Sequence, residues 1–351
     1  MQSCRLRFFS WVMLLATAAF AAAGPPVPAR KVRISMELIT DGKLPATSAQ
    51  AWYNAAKDLG LAGLRIRTVE GEEKAEIEQV GSKAAPAYRV TGILTPENVL
   101  VVPGGKFSVR DTGKLRKWLD NLSDQGVDGV TQPKLMFGLL RAQGERFSGD
   151  LKKPIAFSTK GTPLAQAVKN IAGQLAFPLT LEPGCGAAMA DVVVEDDLRG
   201  ISRGTALAIM LRPAGLAFEP ERQSGDKLQY RVRKADTKRE AWPIGWKPSE
   251  PMQKILPESF NFINVDLSDI TLPEVLDAIE GRLKAQFLFD HNALALVGID
   301  PAKVEVNLPA KKLTYVMILN RVLSKARLRY ELRVDDADRP FLWVTTIKPV
   351  P

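Results

Sequence analysis

The residues with the clearest catalytic spacing are Gly200-Ile201-Ser202-Arg203-Gly204, which match the G-x-S-x-G pattern of a nucleophile elbow. Asp277 and His291 follow in an order that a hydrolase triad permits. In that chemistry Ser202 attacks an acyl carbon while His291 takes its proton. His291 is the only histidine in 351 residues, so it is the single candidate for an imidazole base, and histidine-rich metal clusters are excluded. The elbow also needs a strand running directly into the serine, yet Asp196-Asp197-Leu198-Arg199 intervene after the apolar run 192–194. The plainer expectation is that Ser202 caps a helix beginning there, and that His291 lies in a surface loop.

Three further groups invite chemical readings. Glu195-Asp196-Asp197 could offer carboxylate oxygens to Ca²⁺, but three successive acids lack the alternate spacing of an EF-hand loop, so a solvated strand end is expected. Gly104-Gly105-Lys106 hints at phosphate binding, yet Leu100 and Phe107 stand where the P-loop pattern needs Gly and Ser or Thr. A hairpin turn over 103–105 fits better. No cofactor or metal site is expected. Trp242, Trp246, Phe341 and Trp343 are the remaining candidates, because such aromatics either anchor a partner or seal the junction between modules. Cys185, in Gly184-Cys185-Gly186, reads as a loop thiol able to pair with another chain.

The elements that must position these residues are organised by an internal repeat. Leu164, Ala167, Val168, Ile171 and Leu175 recur 108 residues later as Leu272, Val275, Leu276, Ile279 and Leu283, all with amphipathic helix spacing. Apolar runs at 177–181 and 286–289 follow as strands. The match resumes at a spacing of 112, with Ile201, Leu207, Leu211, Leu216 and Phe218 answering to Leu313, Leu319, Leu323, Leu328 and Tyr330. Four residues are therefore inserted in the middle loop, where surface connections vary. Each copy closes with a strand, over 227–233 and 341–347, introduced by Ser224-Gly225-Asp226 and by Asp335-Asp336-Ala337-Asp338. The unit reads β-α-β-β-α-β-β, and Ser202 and Thr314 each stand at the start of a helix.

The expected class is α+β, with three small mixed modules in tandem: an N-terminal domain over 31–150, repeat one over 154–235 and repeat two over 259–348. The N-terminal domain reads as a strand over 32–39, a helix over 46–59, strands near 64–69 and 88–93, a hairpin over 99–109 and a helix over 114–122. Residues 236–258, rich in Pro and Trp, read as a stiff linker.

The segment from Pro154 to Arg233 resembles the short secretin and TonB N-terminal domain. The likeness is carried by Phe157, Pro163-Leu164-Ala165-Gln166-Ala167-Val168, Ile171, Leu175, Gly204-Thr205-Ala206-Leu207-Ala208-Ile209-Met210-Leu211 and Gly215-Leu216-Ala217-Phe218. The second copy matches less well, with Arg327-Leu328-Arg329-Tyr330 in place of the Gly-Leu-x-Phe ending. The resemblance implies two β-α-β halves per module and contacts with other envelope proteins. The sequence ends at Pro351, soon after the last expected strand, so neither pore nor receptor barrel is implied.

Arg5 and Arg7, the apolar run 8–20 and Ala21-Ala22-Ala23 read as a secretory signal over 1–23, which gives export to the periplasm or cell envelope. The net charge of +9 falls to +7 without that segment's two arginines. The basic residues are dispersed, so nucleic acid is not the expected partner. No later stretch is long and apolar enough to span a membrane. With Cys4 removed, Cys185 is left without an intrachain partner, and stability rests on packed cores. These features lead to a non-catalytic module for protein-protein interaction or assembly, using exposed sheet edges, with an envelope protein as partner. The alternatives are a hydrolase using Ser202 and His291, or a cell-wall glycan binder.

Overall fold

Alternation along the first part of β1 (Arg33–Thr40) buries Ile34, Met36 and Leu38 on one face, and this strand lies inside the N-terminal sheet. The computed structural model describes residues 32–42, 45–82, 85–223 and 227–348; the signal segment and the turn Ser224-Gly225-Asp226 lie outside the described residues. The chain divides into two compact units between Val130 and Thr131. In the first, α1 (Ala46–Asp58) carries the chain across to β2 (Gly63–Thr68), parallel to β1, as a parallel pair requires. A short charged strand β3 (Glu76–Gln79) pairs with β4 (Ala87–Leu94), which lies parallel to β1 on its other side. The hairpin of β5 (Val99–Val102) and β6 (Gly105–Ser108) completes the sheet, and its turn is the Gly104-Gly105 site.

Helix α2 (Thr112–Gln125) buries Leu115, Trp118, Leu119 and Leu122 against this sheet and stops at Gly126, whose φ of +68° suits a helix end. A one-turn helix α3 (Asp128–Thr131) follows.

The second unit begins 20 residues earlier than the expected module boundary at 150. The reason is α4 (Arg141–Leu151), whose Phe147 and Leu151 are fully buried in the core that the residues after 154 build. Its Asp150 accepts hydrogen bonds from Tyr230 Oη at 2.9 Å and from the Ala176 amide at 2.8 Å.

The first half of this unit continues with α5 (Leu164–Ala172), β7 (Leu179–Leu181), α6 (Cys185–Met189), α7 (Arg203–Leu211), β8 (Leu216–Gln223) and β9 (Lys227–Lys234). After the one-turn α8 (Met252–Ile255) come β10 (Phe262–Thr271), α9 (Leu272–Leu283), β11 (Gln286–Phe289) and α10 (His291–Leu296). The chain closes with β12 (Glu305–Thr314), α11 (Tyr315–Lys325), β13 (Leu328–Val334) and β14 (Pro340–Thr346). The protein is α+β throughout its described residues, and no described helix is long and apolar enough to cross a membrane.

The two halves of the second unit pair their strands alike. The sheet orders are β7-β9-β8 and β11-β14-β13, each with one parallel and one antiparallel neighbour of the middle strand. The sequence offsets of 108 and 112 carry the pair Leu179–Tyr230 onto Phe287–Leu342, and Pro154–Ser202 onto Phe262–Thr314. One difference stands out. In the first half the outer pairing survives only as the isolated bridges Pro154–Ser202 and Pro163–Val193, whereas in the second it is the long antiparallel ribbon β10–β12.

The halves are not spaced apart by residues 236–258. Strand β14 is the shared wall between them: Leu342 and Val344 face the core of the second half, while Phe341 and Trp343 join the core of the first. The Pro/Trp segment acts as a strap. Its Trp242 amide donates to Phe218 O on the edge of β8, and Trp246 exchanges both backbone hydrogen bonds with Val334 on β13, at 2.7 and 2.9 Å. Proline stiffness is used here to hold two sheet edges together.

Gly245, with φ at +65°, lets the strap pass under Phe341; a Cβ there would come within 2.5 Å of that ring and 2.9 Å of Val334 O. We expect Gly245→Ala to lower the stability of the second unit by about 1–3 kcal/mol, read as a fall in the urea midpoint.

Candidate functional site

Helix α7 is apolar on every side and buried from Gly204 to Leu211, so it lies at the centre of the second unit. Its N-terminus is where the two halves and the strap converge. The Ser202 hydroxyl does not cap it. The amide of Thr205, which a capping hydroxyl would take, donates instead to Asp336 Oδ2 at 2.8 Å, from the β13–β14 turn of the other half. A carboxylate outcompetes a hydroxyl for that amide because it carries charge toward the positive end of the helix. At the matching position in the second half, Thr314 Oγ1 does accept from the Met317 amide, at 3.3 Å.

The Asp336 carboxylate is satisfied on both oxygens. Oδ2 accepts from Ser202 Oγ at 2.6 Å and Thr205 Oγ1 at 3.1 Å as well as from the Thr205 amide. Oδ1 accepts from the indole nitrogens of Trp242 and Trp246, at 2.9 and 3.0 Å. The neighbouring Asp335 accepts from the Ser202 amide at 2.8 Å and holds Arg339. Gly204, the final glycine of the hydrolase-like pentapeptide, leaves room for this approach; a Cβ there would lie 2.5 Å from Asp336 Oδ2 and 2.7 Å from Trp242 Nε1.

A second set of acids ties the halves on another side. Arg212, just after α7, binds Asp290 in bidentate fashion at 2.8 and 3.1 Å. Asp290 also accepts from the Ala293 amide, capping α10. His291, expected at the surface, is largely buried, with Nδ1 3.0 Å from Glu195 Oε2 and Nε2 3.1 Å from Asp196 Oδ2. The approach at Nε2 is that of an ion pair, without hydrogen-bond alignment.

Burial opposes the imidazolium, but Asp196, Glu195 and Asp290 together outweigh it and hold His291 above its ordinary pKa. Glu195-Asp196-Asp197 is thus a contact between halves, with Asp196 also accepting from the Phe289 amide. It was expected to be a solvated strand end.

The structure does not bring Ser202 and His291 together. Ser202 is fully buried with its hydroxyl on Asp336, while both imidazole nitrogens face acids. The stretch before Ser202 forms a turn, with Gly200 at φ +88°, where an elbow would need a strand. Phe341 and Trp343 are 0 and 2% exposed, so they seal the junction and cannot reach a partner. Cys185 lies in α6, with its thiol buried against Val232 O, and burial together with Glu182 raises its pKa.

Trp242 and Trp246 border a cleft of about 1,100 Å³. Trp242 is stacked on Phe137, with centroids 5.9 Å apart at 13°, and tilts against Phe218 on another side. The Phe137 amide is held by Glu240 of the strap at 2.6 Å. Leu135 and Met136 line the same cleft and are 48 and 43% exposed. Helix α4 contributes Gly144 and Ser148 to the lining, and Lys152 follows at its end. With its faces engaged by aromatic neighbours, Trp242 has little ring left for a sugar to stack on. The chemistry suits apolar side chains set into the cleft.

Asp335, Asp336, Leu135, Met136 and Phe137 were not singled out from sequence as site residues. No protein-family model matches this chain, nor does any curated protein or solved structure.

Asp336→Ala strands five donors and should cost about 3–5 kcal/mol. Ser202→Ala, which removes one hydrogen bond to the carboxylate and the acceptor of the Asp336 amide, should cost about 1.5–3 kcal/mol; urea unfolding measures both. A second outcome follows from His291, whose pKa is raised in the folded state. Its contribution to stability is complete below about pH 6.5, the unfolded value, and is lost as pH rises through the folded value. Unfolding followed from pH 6 to pH 9 should show that decline, and His291→Gln should remove it.

Proposed function

We propose that this chain is exported by way of residues 1–23 and works as a non-catalytic binding module of the cell envelope. Its docking site is the cleft beside Trp242 and Trp246, and the occupant is an apolar stretch of a partner polypeptide. One observation carries this reading: Leu135 and Met136 stay exposed in the lining of the same cleft as an indole pair that Asp336 fixes in place. Exposed apolar groups beside rigid aromatics are the makings of an interface hot spot, because little conformational entropy is lost on docking.

The shared strand pairing of the two halves supports reading them as two copies of one module, similar to the short secretin and TonB N-terminal domain. The strap covers part of the edges of β8 and β13, which leaves the cleft rather than those edges as the docking surface.

The test places a photo-crosslinking residue at Met136 of the full chain and irradiates intact cells. A discrete adduct with one envelope protein is expected, and Leu135→Asp should weaken it at least tenfold with the urea midpoint unchanged. Recovery of monomer alone, or an adduct indifferent to Leu135→Asp, would overturn the reading.

A further inference from the structure

Ribbon β10–β12 is irregular. Its pairing slips between Val265 and Leu267 and again between Leu267 and Ile270, and Asp269 has φ at +52°. Such irregularities bend a strand and redirect its side chains. Between the ribbon and helices α9 and α11 lies a cleft of about 540 Å³, inside the usual range of small-molecule sites. Ile263, Leu267 and Ile270 form one wall, with Val275 and Ile279 of α9 and Ile318 of α11 opposite.

The first half shows what closure of this space looks like. Ile155, which answers to Ile263 at the offset of 108, is 1% exposed, whereas Ile263 is only partly buried. The same position is filled core in one half and open wall in the other.

One charge stands at this cleft. Arg282 lines it from α9, one turn beyond Ala278, and among the described residues its guanidinium has no carboxylate partner. Arginine is suited to grip a carboxylate or phosphate head in bidentate fashion. An apolar slot with a free cation at its rim fits a molecule with a long tail and an anionic head.

We propose that this second cleft binds the chain of a single-tailed anionic amphiphile, with Arg282 holding the head group. A long-chain carboxylate is the simplest such ligand, and an acidic lysolipid presents the same chemistry. The site is separate from the Trp242 cleft and does not depend on the function proposed for it.

The experiment is equilibrium dialysis of radiolabelled palmitate, below its aggregation concentration, against the chain from residue 24 onward. Saturable one-to-one binding is expected. Ala278→Trp, at an exposed helix position facing the cleft, should reduce it at least tenfold. Arg282→Gln should weaken palmitate about tenfold and leave hexadecanol unchanged.

A diazirine palmitate supplies a readout that needs no variant: adducts should map to residues 262–283 and 305–325. Competition by lysophosphatidylglycerol as strong as that by palmitate would assign the site to lysolipids, and weaker competition to free carboxylates. Either result supports the proposal. Absence of saturable binding, adducts elsewhere, or binding only to diacyl phosphatidylglycerol vesicles would overturn it.

Discussion

The second unit depends on one buried carboxylate. Asp336 reaches the N-terminus of α7 from a turn 131 residues beyond Thr205, and its five donors come from two separate segments: the helix start and the strap with its two indoles. A buried charge is costly unless every lone pair is met. Meeting them here requires the hairpin of one half, the central helix of the other and the Pro/Trp strap to arrive together. The interaction therefore sets the relative position of the halves as much as it adds to stability. Apolar packing of Phe341 and Trp343 across the same junction is less directional and could tolerate a shift that this carboxylate does not.

Fixing the junction also shapes the two clefts. The Trp pair cannot rotate freely while both indole nitrogens are engaged, so the wall of the larger cleft is rigid before anything enters it. The smaller cleft arises where the second half departs from the first. Its outer strands pair along the ribbon, with bulges, and a cleft lies between the ribbon and the helices. In the first half the corresponding residues collapse inward around Ile155. One pattern of sheet pairing thus gives a closed core in one place and a recess in another.

Much of the architecture was legible in the sequence where periodicity carries it. The offsets of 108 and 112, read from apolar spacing, coincide with the strand registers of the two halves, and the hairpin at Gly104-Gly105 and the cap at Thr314 are where turn and capping chemistry put them. Helix α4 was not legible, because Gly144, Gly149 and a run of charged residues dilute its periodicity and only tertiary burial of Phe147 and Leu151 reveals it. The short helices α6 and α10 span too few residues for a helical period to separate them from loop.

Asp335 and Asp336 looked like ordinary turn residues, since nothing local distinguishes an acid facing water from one inserted at a helix end far back in the chain. His291 was misplaced for the same reason. Its partners, Glu195 and Asp196, lie in the other half.

Cys185 has a practical consequence. Its sulfur is enclosed in α6 and its thiolate form is disfavoured, so neither alkylating reagents nor oxidants should find it while the protein stays folded. The chain from residue 24 onward is therefore silent toward thiol chemistry in its native state. Single cysteines introduced at either cleft could carry spectroscopic labels without background, and modification of Cys185 itself would report opening of the first-half core.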